Sequence, residues 1–183
     1  MSRSAGRAVA LEVQRLAPPD ASIAVVCGGG NNGGDGFVCA RWLGAWGRDV
    51  TVFLAAPRPD PGGEAGFHLA LCERMGGVVV PITSAAELAH ADLDADVIVD
   101  ALLGTGLATD VRPHHVQVIE AMNRAPALRI AVDVPSGLDA DTGQPRGAAV
   151  RAHHTVTLGF AKLGLAGDPG LLYAGQILSL IHI

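Results

Sequence analysis

The stretch of this 183-residue chain that most constrains its fold runs from Ile23 to Gly36 and reads IAVVCGGGNNGGDG. It opens with branched apolar residues, as expected for a central strand that is buried on both faces. Glycines then replace the side chains, so the backbone can take positive φ and a ligand can approach bare amides. Apolar periodicity from Phe37 to Trp46 predicts a helix that Asp35 caps or begins. A strand, a glycine loop and a helix in this order favour phosphate binding at the helix N-terminus.

Two interpretations of the glycine loop compete, an ordinary tight turn and a binding site. Six of the nine residues from Gly28 to Gly36 are glycine, and the other three are short and polar, which favours a site. The glycines fit the dinucleotide fingerprint only loosely, and two Asn and one Asp add oxygen ligands that a pyrophosphate loop does not need. A P-loop is excluded, because no Lys-Ser or Lys-Thr pair follows.

A second loop of similar composition follows another buried strand. Val97 to Val99 is predicted to be that strand, and it delivers Asp100 to its carboxyl end. The loop from Gly104 to Asp110 is again rich in glycine and short polar residues. Ligands of doubly wound sheets bind outside the carboxyl ends of the strands, at the point where the strand order reverses. We therefore expect the two loops to face each other across one crevice.

A carboxylate and a lysine at later strand ends are the candidates for catalysis. The third buried strand, Leu128 to Val132, ends at Asp133, which a Val-Pro-Ser-Gly turn follows. A strand fixes such a carboxylate and a pocket can tune its pKa, which favours a catalytic role over a turn-forming Asp. Lys162 follows the strand Val156 to Leu158 in a glycine-flanked loop, where a surface lysine is an equally good interpretation.

The alternation of apolar strands, loops and helices predicts one three-layer α/β/α domain with a doubly wound, Rossmann-like and mainly parallel sheet. The length suits a single domain spanning residues 1–183. The predicted strands are Ile23–Val26, Val50–Leu54, Val78–Ile82, Val97–Val99, Leu128–Val132, Val156–Leu158 and Gln176–Ile181, with the last at the sheet edge. The predicted helices are Gly6–Leu16, Phe37–Trp46, Glu64–Met75, Ser84–His90 and His114–Asn123.

Composition excludes several classes of partner. The formal net charge is −5 and the 13 basic residues are scattered, which gives no footprint for nucleic acid. No apolar run reaches the roughly 18 residues of a membrane span, and no signal peptide is recognisable. The three cysteines are in apolar contexts without C-x-x-C spacing, as expected for buried free thiols. The sequence therefore predicts a soluble cytoplasmic protein.

Four motifs, taken together, resemble those of the NAD(P)HX epimerase family, the YjeF N-terminal-domain proteins. They are GGGNNGGDG, VIVDALLGTGL at 97–107, AVDVPSGLDADTG at 131–143 and TVTLGFAKLG at 155–164. The resemblance implies an enzyme that interconverts the R and S epimers of NADHX and NADPHX, the hydrates of NADH and NADPH. A partner dehydratase, often a fused domain, then repairs the S form.

The resemblance also implies that this chain is truncated at its N-terminus and is cut from such a fusion at its C-terminus. Family members carry a further N-terminal helical segment with substrate-side or dimer contacts. A homodimer is therefore a further expectation. Two other functions compete with epimerisation. One is a non-catalytic YjeF-type binding module, and the other is an NAD-dependent dehydrogenase, which lacks support because no acidic residue ends the second strand.

Residue roles follow from the motif positions. Asn32, Asp100 and Ser136 would bind a potassium ion, and all three offer hard oxygen atoms suited to an alkali cation. Asp133 would be the acid–base residue, with Lys162 as an electrostatic aid or proton donor. The expected substrate contacts are Asn31, Asn32, Gly33, Gly34, Asp35, Gly104, Thr105, Gly106, Leu107, Ala108, Thr109, Asp110 and Asp133.

Overall fold

Parallel strands and flanking helices make up the fold, in a computed structural model that describes residues 3–91, 93–107, 109–159 and 162–180. The strands are β1 (Ile23–Cys27), β2 (Val50–Leu54), β3 (Val78–Pro81), β4 (Val97–Ala101), β5 (Leu128–Val132), β6 (His154–Leu158) and β7 (Gln176–Leu180). The helices are α1 (Arg3–Leu16), α2 (Asn31–Ala45), α3 (Glu64–Arg74), α4 (Ala85–His90), α5 (Pro113–Arg124) and α6 (Leu171–Ala174). A 3₁₀ turn, Leu163–Leu165, precedes α6.

The described strands form one sheet in the order β3-β2-β1-β4-β5-β6-β7. Every pairing between neighbouring strands is parallel. β1 is a central strand and β7 lies at an edge, as the sequence predicts. The neighbours of β1 in the sheet are β2 and β4. The chain therefore adopts the predicted Rossmann-like α/β fold, and its sheet is parallel throughout.

Alternate residues of β1 contribute to two different cores, which explains its uninterrupted apolar sequence. Ile23, Val25 and Cys27 pack into a cluster with side chains of α1, α2 and α3 on one face of the sheet. Ala24 and Val26 pack on the other face, in a cluster that includes α4 and α5. These two helical layers enclose the sheet. No described helix has the length and apolar character needed to cross a bilayer.

The glycine-rich stretch differs from its prediction in one respect. The prediction that a helix begins at Phe37, with Asp35 as its cap, is wrong, because α2 begins six residues earlier at Asn31. Gly30 is the N-cap, and Asp35 lies inside the helix. The glycines of this stretch also do not take positive φ, which the structure places at other glycines. Three of them, Gly28, Gly33 and Gly36, allow close packing instead.

A third, smaller apolar cluster supports the end of β5 and the segment around the 3₁₀ turn. It contains Val134 and Leu138 from the loop after β5, Leu165 from the 3₁₀ turn and Ala174 from α6. The backbone N–H of Gly164 donates to the carbonyl of Ala140 at 2.8 Å, which ties the two segments together. This packing fixes the approach of Lys162 to the sheet.

Candidate active site

A cavity of about 670 Å³ lies at the carboxyl edge of the sheet. Its wall contains residues that follow β1, β4 and β5, and the strand order reverses between β1 and β4. The two glycine-rich loops therefore face each other at the switch point, as the sequence predicts. Nine of the predicted substrate contacts line this cavity: Asn31, Asn32, Gly104, Thr105, Gly106, Leu107, Thr109, Asp110 and Asp133.

The other predicted contacts are placed differently. Gly33, Gly34 and Asp35 lie in the first turns of α2, and they are not part of the wall of this cavity. Ala108 lies outside the described residues. Arg112 and His115 line the cavity although sequence reasoning missed both of them. They could have been noticed because they follow the second glycine-rich loop directly, at the start of a predicted helix.

The N-terminus of α2 lies directly against the end of β1. A Cβ atom at Gly33 would be 1.9 Å from the carbonyl oxygen of Gly28, and one at Gly28 would be 2.1 Å from that of Leu102. Only glycine permits these contacts. The N-cap Gly30 has no side chain to satisfy the first amides of the helix, so those N–H groups remain available at the cavity. This end of the cavity is suited to an anion.

The three predicted ion ligands are brought together around the backbone of Leu103. Ser136 donates its backbone N–H to Asp100 Oδ2 at 2.8 Å and its hydroxyl to Asp100 Oδ1 at 2.5 Å. The same hydroxyl oxygen accepts the N–H of Leu103 at 2.7 Å. Asn32 donates Nδ2 to the carbonyl oxygen of Leu103 at 2.9 Å. α2, β4 and the turn after β5 are thus joined by one network.

The chemistry of this network fits an alkali cation. It offers an amide oxygen, a hydroxyl, a backbone carbonyl and one carboxylate, all of them hard oxygen donors. Asp100 has no solvent exposure, and this burial raises the pKa of its carboxyl group to about 6. A monovalent cation beside Asp100 would offset the cost of burying its negative charge.

Asp133 follows β5 in a left-handed backbone conformation, with φ of 68°. Its Oδ1 accepts hydrogen bonds from the ammonium group of Lys162, from the N–H of Leu158 at 3.0 Å and from the hydroxyl of Thr157 at 3.5 Å. Within the described part of the chain, no hydrogen bond reaches Oδ2. Asp133 lines the cavity, so Oδ2 is the oxygen available to a bound molecule.

Lys162 lies behind Asp133 and is largely committed to the protein. Besides Asp133 Oδ1, its Nζ donates to the hydroxyl of Thr157 at 3.2 Å and to the carbonyl of Leu158 at 2.9 Å. An ammonium group has three hydrogens, and these three acceptors use all of them. The structure thus brings the two predicted catalytic residues into contact and gives them different surroundings.

Asp35 is a third buried carboxylate, beneath the cavity wall. It is 5% exposed, and its Oδ2 has no hydrogen-bond partner among the described residues. Burial, together with the negative charges of Asp133 and Glu64, raises the pKa of its carboxyl group to about 7. A small cavity between α2 and α3, lined in part by Asn31 and His68, adjoins this carboxyl group.

Comparison with known proteins places the chain in one family. The sequence profile described as YjeF-related protein N-terminus matches residues 1–164. The chain is 45% identical over 182 residues to the bifunctional NAD(P)H-hydrate repair enzyme Nnr of Pyrobaculum aerophilum, covering 97% of this chain and 36% of that protein. It is 36% identical to the NAD(P)H-hydrate epimerase of Rhodopirellula baltica, covering 97% of this chain and 74% of that protein.

A solved structure has a similar fold. The crystal structure of yeast ynu0, YNL200c, superimposes with a TM-score of 0.79 at 25% identity, covering 97% of this chain and 75% of that one. The chain spans about a third of the length of the bifunctional relatives that it matches. On the profile match and these similarities, the chain belongs to the family of YjeF-related protein N-terminal domains.

Proposed function

We propose that this domain is an NAD(P)H-hydrate epimerase that interconverts the R and S epimers of NADHX and NADPHX. The observation that carries this proposal is the Asp133–Lys162 pair, which places one free carboxylate oxygen in a cavity that extends to the bare N-terminus of α2. The relatives named NAD(P)H-hydrate epimerase support it independently.

The reaction requires the hydroxyl at C6 of the reduced ring to leave and to return on the other face. Its carbon is bonded to the ring nitrogen, whose lone pair can expel the hydroxyl once that group is protonated. Water and a ring iminium result. A water molecule that adds to the opposite face and loses a proton completes the inversion. The proton taken up at the first step is released at the last, so a single acid–base group can serve both steps.

Asp133 is suited to this proton transfer because only one of its two carboxylate oxygens is hydrogen-bonded to the described part of the protein. Oδ1 is held by Lys162 and two further donors, while Oδ2 meets the cavity. We assign Oδ2 the delivery of the proton to the departing hydroxyl. The proton lost by the water that adds to the opposite face returns to Oδ2 through solvent. The ammonium group of Lys162 already serves three acceptors, so Lys162 orients the carboxylate and balances charge rather than donating a proton to the substrate.

Binding of the dinucleotide would use the opposite wall of the cavity. The bare amides at the start of α2 are available to the pyrophosphate, and the helix dipole favours an anion there. We also propose that Asn32, Asp100 and Ser136 hold a potassium ion, with the carbonyl of Leu103 beside them. When bound, the ion would supply a fixed positive charge between α2, β4 and the turn after β5.

The proposal includes a dehydratase as functional partner, which would act on the S epimer. The bifunctional names of several relatives support this pairing. A homodimer remains part of the proposal. A cytoplasmic location is supported by three buried free cysteines, since thiols persist in reducing compartments.

Replacement of Asp133 by Asn tests the assignment of the acid–base group. Asn keeps the shape and the hydrogen-bonding reach but cannot carry the proton, so we expect kcat to fall by roughly 10²-fold or more. KM should change less, because the lost interaction acts in the transition state. The measurement is conversion of the purified R hydrate, corrected for its spontaneous rate, at several pH values.

Lys162→Met is the matched comparison. Methionine retains most of the apolar stem and loses the charge, so we expect a smaller loss of kcat than in Asp133→Asn and an altered pH profile. A larger loss in the lysine variant would transfer the catalytic role to Lys162. Near-normal kcat and pH dependence in Asp133→Asn would overturn the assignment of Asp133. A folded wild-type protein that binds NADPH but converts neither hydrate would favour a binding module instead.

A further inference from the structure

The cavity has two chemically different ends, and the proposed proton transfer takes place at only one of them. Asp133 and Lys162 lie beyond β5. At the other end lie Ala56, which follows β2, and His115, whose Nε2 is 3.1 Å from the carbonyl oxygen of Ala55. β1 and β4 separate the two ends. A ligand that reaches Asp133 with its reactive ring can therefore place a distant group near the end of β2.

The strand order predicts which part of a dinucleotide would lie at the β2 end. In dinucleotide-binding sheets with the order 3-2-1-4-5-6, a residue near the end of β2 contacts the adenosine ribose. An acidic residue there binds the 2′-hydroxyl, whereas an arginine nearby accommodates a 2′-phosphate. In this chain β2 is followed by Ala55, Ala56 and Pro57, so no carboxylate stands at that position to repel a phosphate.

Arg112 supplies a positive charge at this end, where its charge acts on the imidazole of His115. It lines the cavity, and within the described residues no hydrogen bond or ion pair engages its guanidinium group. Its backbone is fixed, because its carbonyl accepts the N–H of Val116 at 3.0 Å and the preceding N–H, of Val111, donates to Arg146 at 3.0 Å. The neighbouring His115 adds no charge at neutral pH, since burial lowers the pKa of its imidazole.

Arg58 provides the contrast. It follows β2 in sequence, where a 2′-phosphate arginine is expected, but its guanidinium already forms an ion pair with Glu73 at 2.6 Å. Among the described residues, Arg112 is the arginine that lines the cavity. We propose that Arg112 binds the 2′-phosphate of the adenosine ribose, so that the domain prefers the hydrate of the 2′-phosphorylated dinucleotide. This inference rests on the proposed function for the identity of the ligand.

The expected preference is moderate. A guanidinium can contact a phosphate through two parallel hydrogen bonds, and such charge-assisted contacts are among the stronger polar interactions. Arg112 is exposed, so solvent screening limits the gain. We expect about tenfold tighter binding of the 2′-phosphorylated form at low ionic strength, which corresponds to about 1.4 kcal/mol.

The test compares NADPH with NADH as stable probes, using titration calorimetry on wild type, Arg112→Met and Arg58→Met. We expect wild type and Arg58→Met to favour NADPH about tenfold, and Arg112→Met to bind the two probes within about twofold of each other. The wild-type preference should also decrease as salt is raised from 50 to 500 mM. In parallel, kcat/KM is measured for the R hydrates of NADPH and NADH.

The outcomes separate this inference from the proposed function. Equal binding of the two probes by wild type, or a preference that survives Arg112→Met, would overturn the role of Arg112. A wild-type preference for NADH would do so as well and would point to Asp110, which lines the same wall. If the preference depends on Arg112 but neither hydrate turns over, the inference stands and the epimerase assignment fails.

Discussion

Two buried carboxyl groups, Asp35 and Asp100, have pKa values that are raised to about 7 and about 6 by burial. The consequence for stability has a definite sign. Between about pH 4 and pH 7 the folded protein retains protons that the unfolded chain has already released. The free energy of unfolding therefore falls as pH rises through this window. The usual salt-bridged carboxylate behaves in the opposite way.

Asp35→Asn should remove most of the loss of stability that ionisation of Asp35 causes as pH rises. Asn cannot ionise, so the variant should be more stable than wild type at pH 8 by roughly 1–2 kcal/mol and about equal at pH 4.5. Urea unfolding at both pH values measures the difference. The exposed Asp20 offers a control, and Asp20→Asn should match wild type at both. A variant that is destabilised at pH 8 would mean that the Asp35 carboxylate makes a favourable interaction.

At the scale of single residues, the sequence identified side chains of the site better than it identified the groups that they contact. Asp100 and Asp133 were recognisable because each follows a run of buried residues. The role of Leu103 in the network was not recognisable, because Leu103 contributes a backbone N–H and a backbone carbonyl that any residue type could supply. Arg112 was missed for a different reason. Its proposed role depends on which groups surround its side chain, and only the assembled cavity shows them.

Among the elements, α2 shows most clearly how tertiary contacts override local preference. Its first six residues, Asn31 to Gly36, include three glycines, each of which disfavours a helix by roughly 1 kcal/mol relative to alanine. Propensity therefore predicted a loop. The helix forms because Gly33 and Gly36 lie against the ends of β1 and β4. A Cβ at Gly36, for example, would be 2.6 Å from Ala101 Cβ and from Cys27 Sγ.

Two alanine substitutions in α2 should have opposite effects. Gly33→Ala would place a methyl group against the carbonyl of Gly28, which cannot move without moving β1, so we expect a loss of roughly 2–4 kcal/mol. Gly44→Ala near the other end meets no heavy atom within 4 Å and should gain about 0.5–1 kcal/mol. Denaturant unfolding of both variants measures this. Equal stabilities would show that the close packing at Gly33 is unnecessary.

For the whole molecule, the proposed ion would connect three parts of the fold that are distant in sequence: α2, β4 and the turn after β5. A ligand that binds only the folded state stabilises it by mass action. We therefore expect a higher melting temperature in potassium chloride than in choline chloride at equal ionic strength.

Asp100→Asn should abolish this difference. Asp96→Asn is the matched control, because Asp96 lies just before the same strand but bonds to Ser22 at the opposite edge of the sheet. It should keep the potassium response even though it loses stability. If wild type melts at the same temperature in both salts, the potassium proposal fails.

The positions of the strands were predictable from the sequence, but their order in the sheet was not. Periodicity located every described strand to within about two residues and indicated parallel pairing. It could not give the strand order, which depends on contacts between distant segments such as β1 and β4, where Ile23 pairs with Val97. The apolar cluster of Val134, Leu138 and Leu165 was also unpredicted, because its members come from loops without periodicity.

The left-handed backbone of Asp133 sets the position apart from the rest of the domain. Glycine adopts φ of 68° without strain, whereas most other residues do so only at a cost. Under selection for stability alone, glycine at this position would therefore be at least as favourable as aspartate. Such a replacement would lose the carboxylate and keep the fold. If related sequences keep an acid at position 133, selection has preserved the side chain there and not merely the backbone conformation.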